Sequence, residues 1–239
     1  IRETSGLVFF SGELWTINDS GNPPELFRIE TTTGKILRKT TLANSVNTDW
    51  ESLTQDDSSV YVGDFGNNYG NRRNLCILNI AKTDILDSLN DTVKAEAIFF
   101  TYPDQTDFDP SLNKTGFDCE AFFYYNHSLH IFTKDWVGLK TRHYTLPTEA
   151  GKYQTVFVEQ FEADGLITDA SINNQGNIVL LGYKKSGSRF WDCFCWTLSG
   201  YSNNYLFNGN ALRIELGSAF NLGQSEAIVI NADNTAWLS

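Results

Sequence analysis

Carboxylates set directly in front of short apolar runs are the residues of this chain with the most chemistry to offer. One pattern recurs at Ser5-Gly6-Leu7, Glu51-Ser52-Leu53, Glu120-Ala121-Phe122, Asp169-Ala170-Ser171 and Glu226-Ala227-Ile228. After each of the first four, a turn and a second apolar run follow. Those second runs end 13 to 15 positions on, at Asp19, Asp64, Asp135 and Tyr183. Three more acids, Glu3, Asp49 and Asp118, stand two residues ahead of a motif and share its face in an extended chain. If such carboxylates converge on one axis, they repel one another strongly in a low-dielectric site. They then need water, raised pKa values or a cation. Calcium, which takes about 6 to 8 oxygens in flexible geometry, is the expected ion, with Glu51, Glu120, Asp169 and Glu226 as its ligands. The same residues acting only as strand caps would solvate a wet channel and hold no ion.

The elements that must position these acids are β-strands. Motif spacings are 46 (5 to 51), 69 (51 to 120), 49 (120 to 169) and 57 (169 to 226), against the ~40 to 50 residues of a four-stranded propeller blade. Two intervals fit directly, and the longest is explained by an inserted acidic loop at 103–117. Alternating or doubly apolar runs of strand length dominate, and helical periodicity is confined to a short turn at 83–89. Residues 190–198 are apolar on both faces, as strands of stacked blades must be. The expectation is an all-β chain forming one propeller over residues 1–239, five-bladed or alternatively six-bladed, with its last blade incomplete. In a propeller each innermost strand starts at one rim of the channel and the second strand ends there, so the repeated acids should ring one mouth.

The loops after the second strands form the rim. Asn18-Asp19-Ser20-Gly21-Asn22-Pro23-Pro24 and Gly63-Asp64-Phe65-Gly66-Asn67-Asn68-Tyr69-Gly70 are rich in Gly and Asn. Such loops allow close backbone approach to a ligand, although turn chemistry alone favours the same residues. Asp19, Asp64, Asn67, Asp49 and Asp118 are the expected rim contacts, for a small molecule, a glycan or a protein. Other chemistry is poorly supported. Gly223-Gln224-Ser225-Glu226-Ala227 lacks the closing Gly of a nucleophile elbow and leads into a strand. His127, His130 and His143 have no zinc spacing, and no Gly-rich phosphate loop opens a helix.

A formal net charge of -11 with scattered Lys and Arg argues against nucleic acid and anionic membranes and suits a cation. No run of about 18 apolar residues exists, so no membrane-spanning helix is expected. The first residue is Ile1 rather than Met, which fits removal of an export signal, and a periplasmic, cell-surface or secreted monomer is expected. Cys193 and Cys195 lie two apart on one strand, a poor disulfide geometry, and Cys76 and Cys119 belong to different repeats; free buried thiols are expected.

Glu3-Thr-Ser-Gly-Leu7, Leu14-Trp-Thr-Ile-Asn-Asp-Ser-Gly21, Asp49-Trp-Glu51 and Tyr61-Val-Gly-Asp-Phe-Gly-Asn-Asn68 resemble a widespread group of uncharacterised exported bacterial propellers. That group is similar, more distantly, to the SdiA-regulated propeller family and to NHL-type repeats. The resemblance implies five blades and a calcium site at the strand-start acids, marked best by Glu51, Glu120 and Glu226. It implies no reaction. Convergent acids without a catalytic partner set point to a binding or interaction protein rather than an enzyme. The alternative is a calcium-dependent hydrolase of lactonase, phytase or glycosidase type working through channel carboxylates.

Overall fold

The computed structural model describes residues 3–187, 190–223 and 225–239, with Phe190 and Leu222 as backbone only. Gln224, in the stretch weighed as a nucleophile elbow, and the Phe190 side chain lie outside the described residues. Blade one is β1 (Thr4–Phe10), β2 (Glu13–Asn18), β3 (Glu25–Ile29) and β4 (Ile36–Leu42). Blade two is β5 (Trp50–Gln55), β6 (Ser59–Asp64) and β7 (Cys76–Ala81). A short helix α1 (Lys82–Leu86) and a two-residue strand β8 (Thr92–Val93) precede its outer strand β9 (Glu96–Thr101). Blade three is β10 (Asp118–Tyr125), β11 (Ser128–Lys134), β12 (Thr141–Leu146) and, after the detour β13 (Gly151–Gln154), β14 (Val156–Phe161). Blade four is β15 (Leu166–Ile172), β16 (Ile178–Ser186), β17 (Phe190–Ser199) and β18 (Asn210–Ser218). Helix α2 (Ala219–Leu222) leads to a hairpin of two three-residue strands, β19 (Ile228–Ile230) and β20 (Ala236–Leu238).

The expectation of five blades, or of six, is corrected here: the described residues build four blades. The fifth motif forms only the hairpin, because residues 228–238 supply two short strands where a blade needs four to bury both faces. The innermost strands close the ring all the same. β1 packs on β5, β5 on β10, β10 on β15, and β19 fills the gap between β15 and β1. The detours β8 and β13 each cross to the previous blade, pairing in parallel with β4 and β9. Each covers an edge strand that would otherwise present unpaired N–H and C=O groups.

Alternation along the inner strands divides the core between the blades. Trp15, Ile17, Trp50, Val60 and Val62 pack between blades one and two, whereas Tyr61, facing the other way, joins Phe65, Phe100, Phe122 and Tyr144 between blades two and three. Ala121 and Phe123, flanking Phe122, turn instead to Phe132, Ile167, Leu180 and Phe194 between blades three and four. Burying a side chain of Phe or Leu size stabilises by roughly 1.5–3 kcal/mol, so these seams hold the ring together. All four cysteines are buried free thiols, as expected. No helix among the described residues is long and apolar enough to cross a membrane.

Each of the four innermost strands carries a bulge at the same height. The pairing register slips between Ser5 and Leu7, Trp50 and Ser52, Cys119 and Ala121, and Ile167 and Asp169. A bulge inserts one unpaired residue and re-aims its side chain. The inserted residues are Gly6, Glu51, Glu120 and Thr168. Two of the repeats seen in the sequence are therefore offset by one. Ser5 sits at the level of Trp50, and Asp169 at the level of Ser52. Gly6 occupies the position of the glutamates for a steric reason. With φ of +75°, a Cβ there would lie 2.6 Å from the Leu53 amide nitrogen of the next inner strand.

Candidate functional site: an acidic channel mouth

The re-aimed glutamates reach the mouth of the channel. Glu51, Glu120 and Glu226 line a cavity of about 290 Å³ there, together with Asp19, Asn68, Asn113, Lys134, Trp136 and Tyr183. Asp49, outside this lining, joins two of its members: one oxygen each from Asp19, Asp49 and Glu51 lies within 4.8 Å of the others. Glu51 is only 6% exposed. Burial first, then the charges of Glu120, Asp19, Asp49 and Asp118, push its carboxyl well above the ordinary glutamate value. Asp49 is pushed up to about 6 by burial and then by Asp19 and Asp118. Asp19 is raised as well, mainly by burial, against the hydrogen bond from the Ser20 amide. No described N–H or O–H group donates to the Glu51 carboxylate. Ser20 is the described donor to Asp19 and Asp49, and the backbones hold the three carboxylates together.

The remaining acids are differently placed. Asp64 accepts from the amides of Thr48 (3.4 Å) and Asp49 (3.1 Å) and from Arg72 Nη2 (2.8 Å). Asp118 accepts from the amides of Asn67 (2.6 Å) and Cys119 (3.1 Å) and from Trp136 Nε1 (2.7 Å). Asn67 itself donates to the Phe117 carbonyl and accepts from the Arg72 amide. Asp135 receives the amides of Val137 and Gly138. Asp64, Asn67, Asp118 and Asp135 therefore fold the rim loops, whereas Asp19 lines the cavity and Asp49 joins it and Glu51 in the acidic group. Gly66 marks how closely the rim loop backs the acids: a Cβ on it would meet Glu51 Oε1 at 2.3 Å and Asp49 Oδ2 at 2.4 Å.

Asp169 lies below the mouth. Its two oxygens accept from Ser52 Oγ (2.5 Å) and from the Ile228 amide (2.7 Å), so it spans the channel from β15 to β5, which are not neighbouring blades, and to β19. Burial raises its pKa to about 8, against the hydrogen bonds from Ser52, Ile228 and Ala170. The folded pKa exceeds the unfolded one, so the associated stability is present below the usual aspartate range and is lost as pH rises through about 8. Asp169→Asn keeps the shape and one acceptor oxygen for the Ile228 amide, while its NH2 can donate to Ser52 Oγ, and it should cost under about 1 kcal/mol. Asp169→Ala strands the Ser52 and Ile228 donors and should cost about 2–4 kcal/mol. Urea denaturation at pH 7 and pH 9 separates the two variants, and the wild type should lose more stability between those pH values than either variant.

The group that the sequence reading missed is Lys134. Its ammonium contacts Glu120 Oε1 and lies 4.7 Å from the Trp136 ring centre and 5.1 Å from that of Tyr183, with only 4% of the side chain exposed. Burial works against the ammonium, but the charges of Glu120, Tyr183, Asp118 and Glu51 hold it well above the ordinary lysine value. The chain thus supplies its own cation to half of the mouth. The sequence pattern did not mark it: Lys134 pairs with Asp118 across β10 and β11, one position beyond the Cys119–Thr133 pair that corresponds to Trp50–Asp64 one blade earlier.

The molecule is a four-bladed β-propeller whose ring is closed by a hairpin and whose channel has one acidic mouth. No protein-family model matches the chain, and no curated protein does. Hydrazine synthase of Kuenenia stuttgartiensis is similar in structure over 100% of this chain and 74% of its own, at 8% identity and a TM-score of 0.49. The β-propeller domain of Cps50 (Swd1) of Myceliophteria thermophila is similar over 96% of this chain and 90% of its own, at 10% identity and a TM-score of 0.41. Neither likeness bears on the site, and the propeller assignment rests on the sheets themselves. The expected kinship with SdiA-regulated and NHL-type propellers finds no support at the level of sequence families.

Proposed function

We propose that this propeller is a binding module that holds a divalent cation, calcium by its donor set, at Asp19, Asp49 and Glu51 and presents a ligand surface around it. The observation that carries this reading is the Glu51 carboxylate, buried beside two other acids with no described donor, while Glu120 across the cavity is neutralised by Lys134. Calcium–oxygen distances of ~2.3–2.6 Å put the ligands of one ion within ~5 Å of each other, a condition that the 4.8 Å spread meets. Asn68 and Asn113 line the same cavity and carry neutral amide oxygens. Three carboxylates leave several coordination positions for water or for oxygens of a ligand, and the rim loops surround those positions. An exported location, where calcium is plentiful, agrees with this reading.

The hydrolase alternative is less well supported by the geometry. Glycoside hydrolysis needs one carboxyl kept protonated and another kept ionised and free to react. Here burial gives Glu51 the raised pKa of an acid, but Glu120, the carboxylate that would be its partner, is engaged by Lys134 and is not free to react.

Calorimetric titration of the full chain with Ca²⁺ at pH 7.5 tests the proposal, with Gly66→Ala as its steric counterpart. The wild type should release heat with 1:1 stoichiometry. Gly66→Ala, whose new methyl displaces both Glu51 and Asp49, should bind at least about tenfold more weakly. Absence of heat with the wild type would overturn the cation site.

A further inference from the structure

The seam between blades three and four contains a row of titratable groups away from the channel mouth. His130, on β11, and His143, on β12, are both 0% exposed. His130 Nε2 lies 3.1 Å from the Tyr125 carbonyl oxygen, and His130 Nδ1 lies 2.8 Å from His143 Nε2. His143 Nδ1 faces Glu159 Oε1, on β14, at 3.4 Å. The same Glu159 oxygen accepts the amides of Leu206 (2.5 Å) and Phe207 (3.2 Å), which belong to a 3-10 turn at Leu206–Asn208 between β17 and β18. Glu159 is thus a hydrogen-bond link from blade three to blade four. The rings are clamped in place, with His130 stacked on Phe123, His143 stacked on Phe132, and Phe207 edge-on to His143.

Proton counting fixes the tautomers. A carbonyl can only accept, so His130 Nε2 carries hydrogen. A neutral His130 then has a bare Nδ1, and the 2.8 Å contact requires hydrogen on His143 Nε2. Two neutral imidazoles have now used both of their protons. His143 Nδ1 is left as a lone pair facing a carboxylate, and the contact there is the longest of the three. One further proton has one place to go.

We infer that His143 Nδ1 is a single proton seat, and that filling it draws Glu159 towards the ring and away from the Leu206 and Phe207 amides, loosening the seam between blades three and four in acid. Burial lowers the pKa of both rings, His130 to about 3, and Glu159 works in the other direction on His143. The extra proton therefore enters at His143, below the value of ~6.5 for a free histidine. Because the folded pKa lies below the unfolded one, the stability contributed by the neutral ring is complete above pH ~6.5 and is lost as pH falls through the folded value. The titratable groups facing the row are few among the described residues. β10 contributes Tyr125, β14 contributes Glu159, and Tyr201 stands against Tyr125 from blade four. Glu159 is the charged one among them. The inference does not depend on the cation site.

Nitrogen-15 NMR of the histidine rings tests it, in the full chain carrying His127→Asn so that only two imidazoles report. At pH 8 both rings should show hydrogen on Nε2 and none on Nδ1. On acidification His143 alone should gain a proton at Nδ1 below pH ~6.5, and Glu159→Gln should lower that midpoint by about one pH unit, tenfold in proton affinity. Amide exchange at Leu206 and Phe207, corrected for the intrinsic pH effect, should lose protection over the same range. Hydrogen on His143 Nδ1 at pH 8, no protonation of either ring before acid unfolding, or unchanged protection at the two amides would each overturn the inference. If Glu159→Gln does not fold, the titration and exchange of the Glu159-containing chain decide it alone.

Discussion

Glu51→Gln should make the metal-free protein more stable and abolish its response to calcium. The substitution keeps the shape of a side chain that is 94% buried but removes a charge facing Asp19 and Asp49 across 4.8 Å or less. With those like charges relieved, the metal-free chain should gain about 1–2 kcal/mol, a value reduced for the solvent that reaches Asp49. Cation affinity should fall by about a hundredfold or more, because one of only three carboxylates is lost. The pH dependence distinguishes this from generic stabilisation. Asp49 and Glu51 have raised folded pKa values, so in the metal-free wild type their favourable contribution is present below the unfolded carboxylate range. It is lost as pH rises, for Asp49 through about 6. Calcium at a hundredfold excess over its Kd should restore about 2.7 kcal/mol at pH 7.5 and progressively less below pH 6, where protons compete for the same oxygens. Thermal melts at pH 5, 6 and 7.5, with Ca²⁺ and with EDTA, give all of these values. A variant that loses stability in EDTA, or still responds to calcium, would contradict the assignment of Glu51.

The second large effect is expected at Lys134. Lys134→Met removes the buried partner of Glu120 and leaves that carboxylate beside Asp118 and Glu51 without compensation. Breaking a buried ion pair in this way costs about 3–5 kcal/mol, which in a chain of this size lowers Tm by about 10 °C or more. Adding Glu120→Gln to Lys134→Met should recover most of the loss, because the uncompensated charge disappears with its partner. A double-mutant cycle in urea measures the coupling. If the single substitution costs less than about 1 kcal/mol, Lys134 is not the resident cation of this mouth.

How much of this was legible in the sequence depends on the residue considered. The strands were readable because period-two alternation and turn residues are local, and the inserted loop before β10 was readable from spacing alone. Blade number was not, because it depends on whether the residues after the last motif can build a full sheet; two three-residue strands cannot. Glu51, Glu120 and Glu226 were found because each stands directly before its apolar run. Asp169 looked equivalent but is offset by one residue, since a bulge changes register without leaving a mark in composition. The conformation that makes Gly6 necessary likewise appears only when β5 is in place beside it. Lys134 and the His130–His143 contact depend on which residues pair across strands. That pairing is set by registers between elements, and no single segment carries it.

The bond from Ser52 to Asp169 divides the interior of the ring. Above it is the acidic mouth, and below it a wider cavity of about 560 Å³ opens at the opposite end, lined by Phe9, Tyr124, Tyr125, Asn173 and Asn231 among others. The two cavities have no lining residue in common, so the ring offers two separate faces. Substitutions at the acidic mouth should therefore leave binding at the opposite face unchanged, and the reverse, so the two ends of one ring can be altered independently.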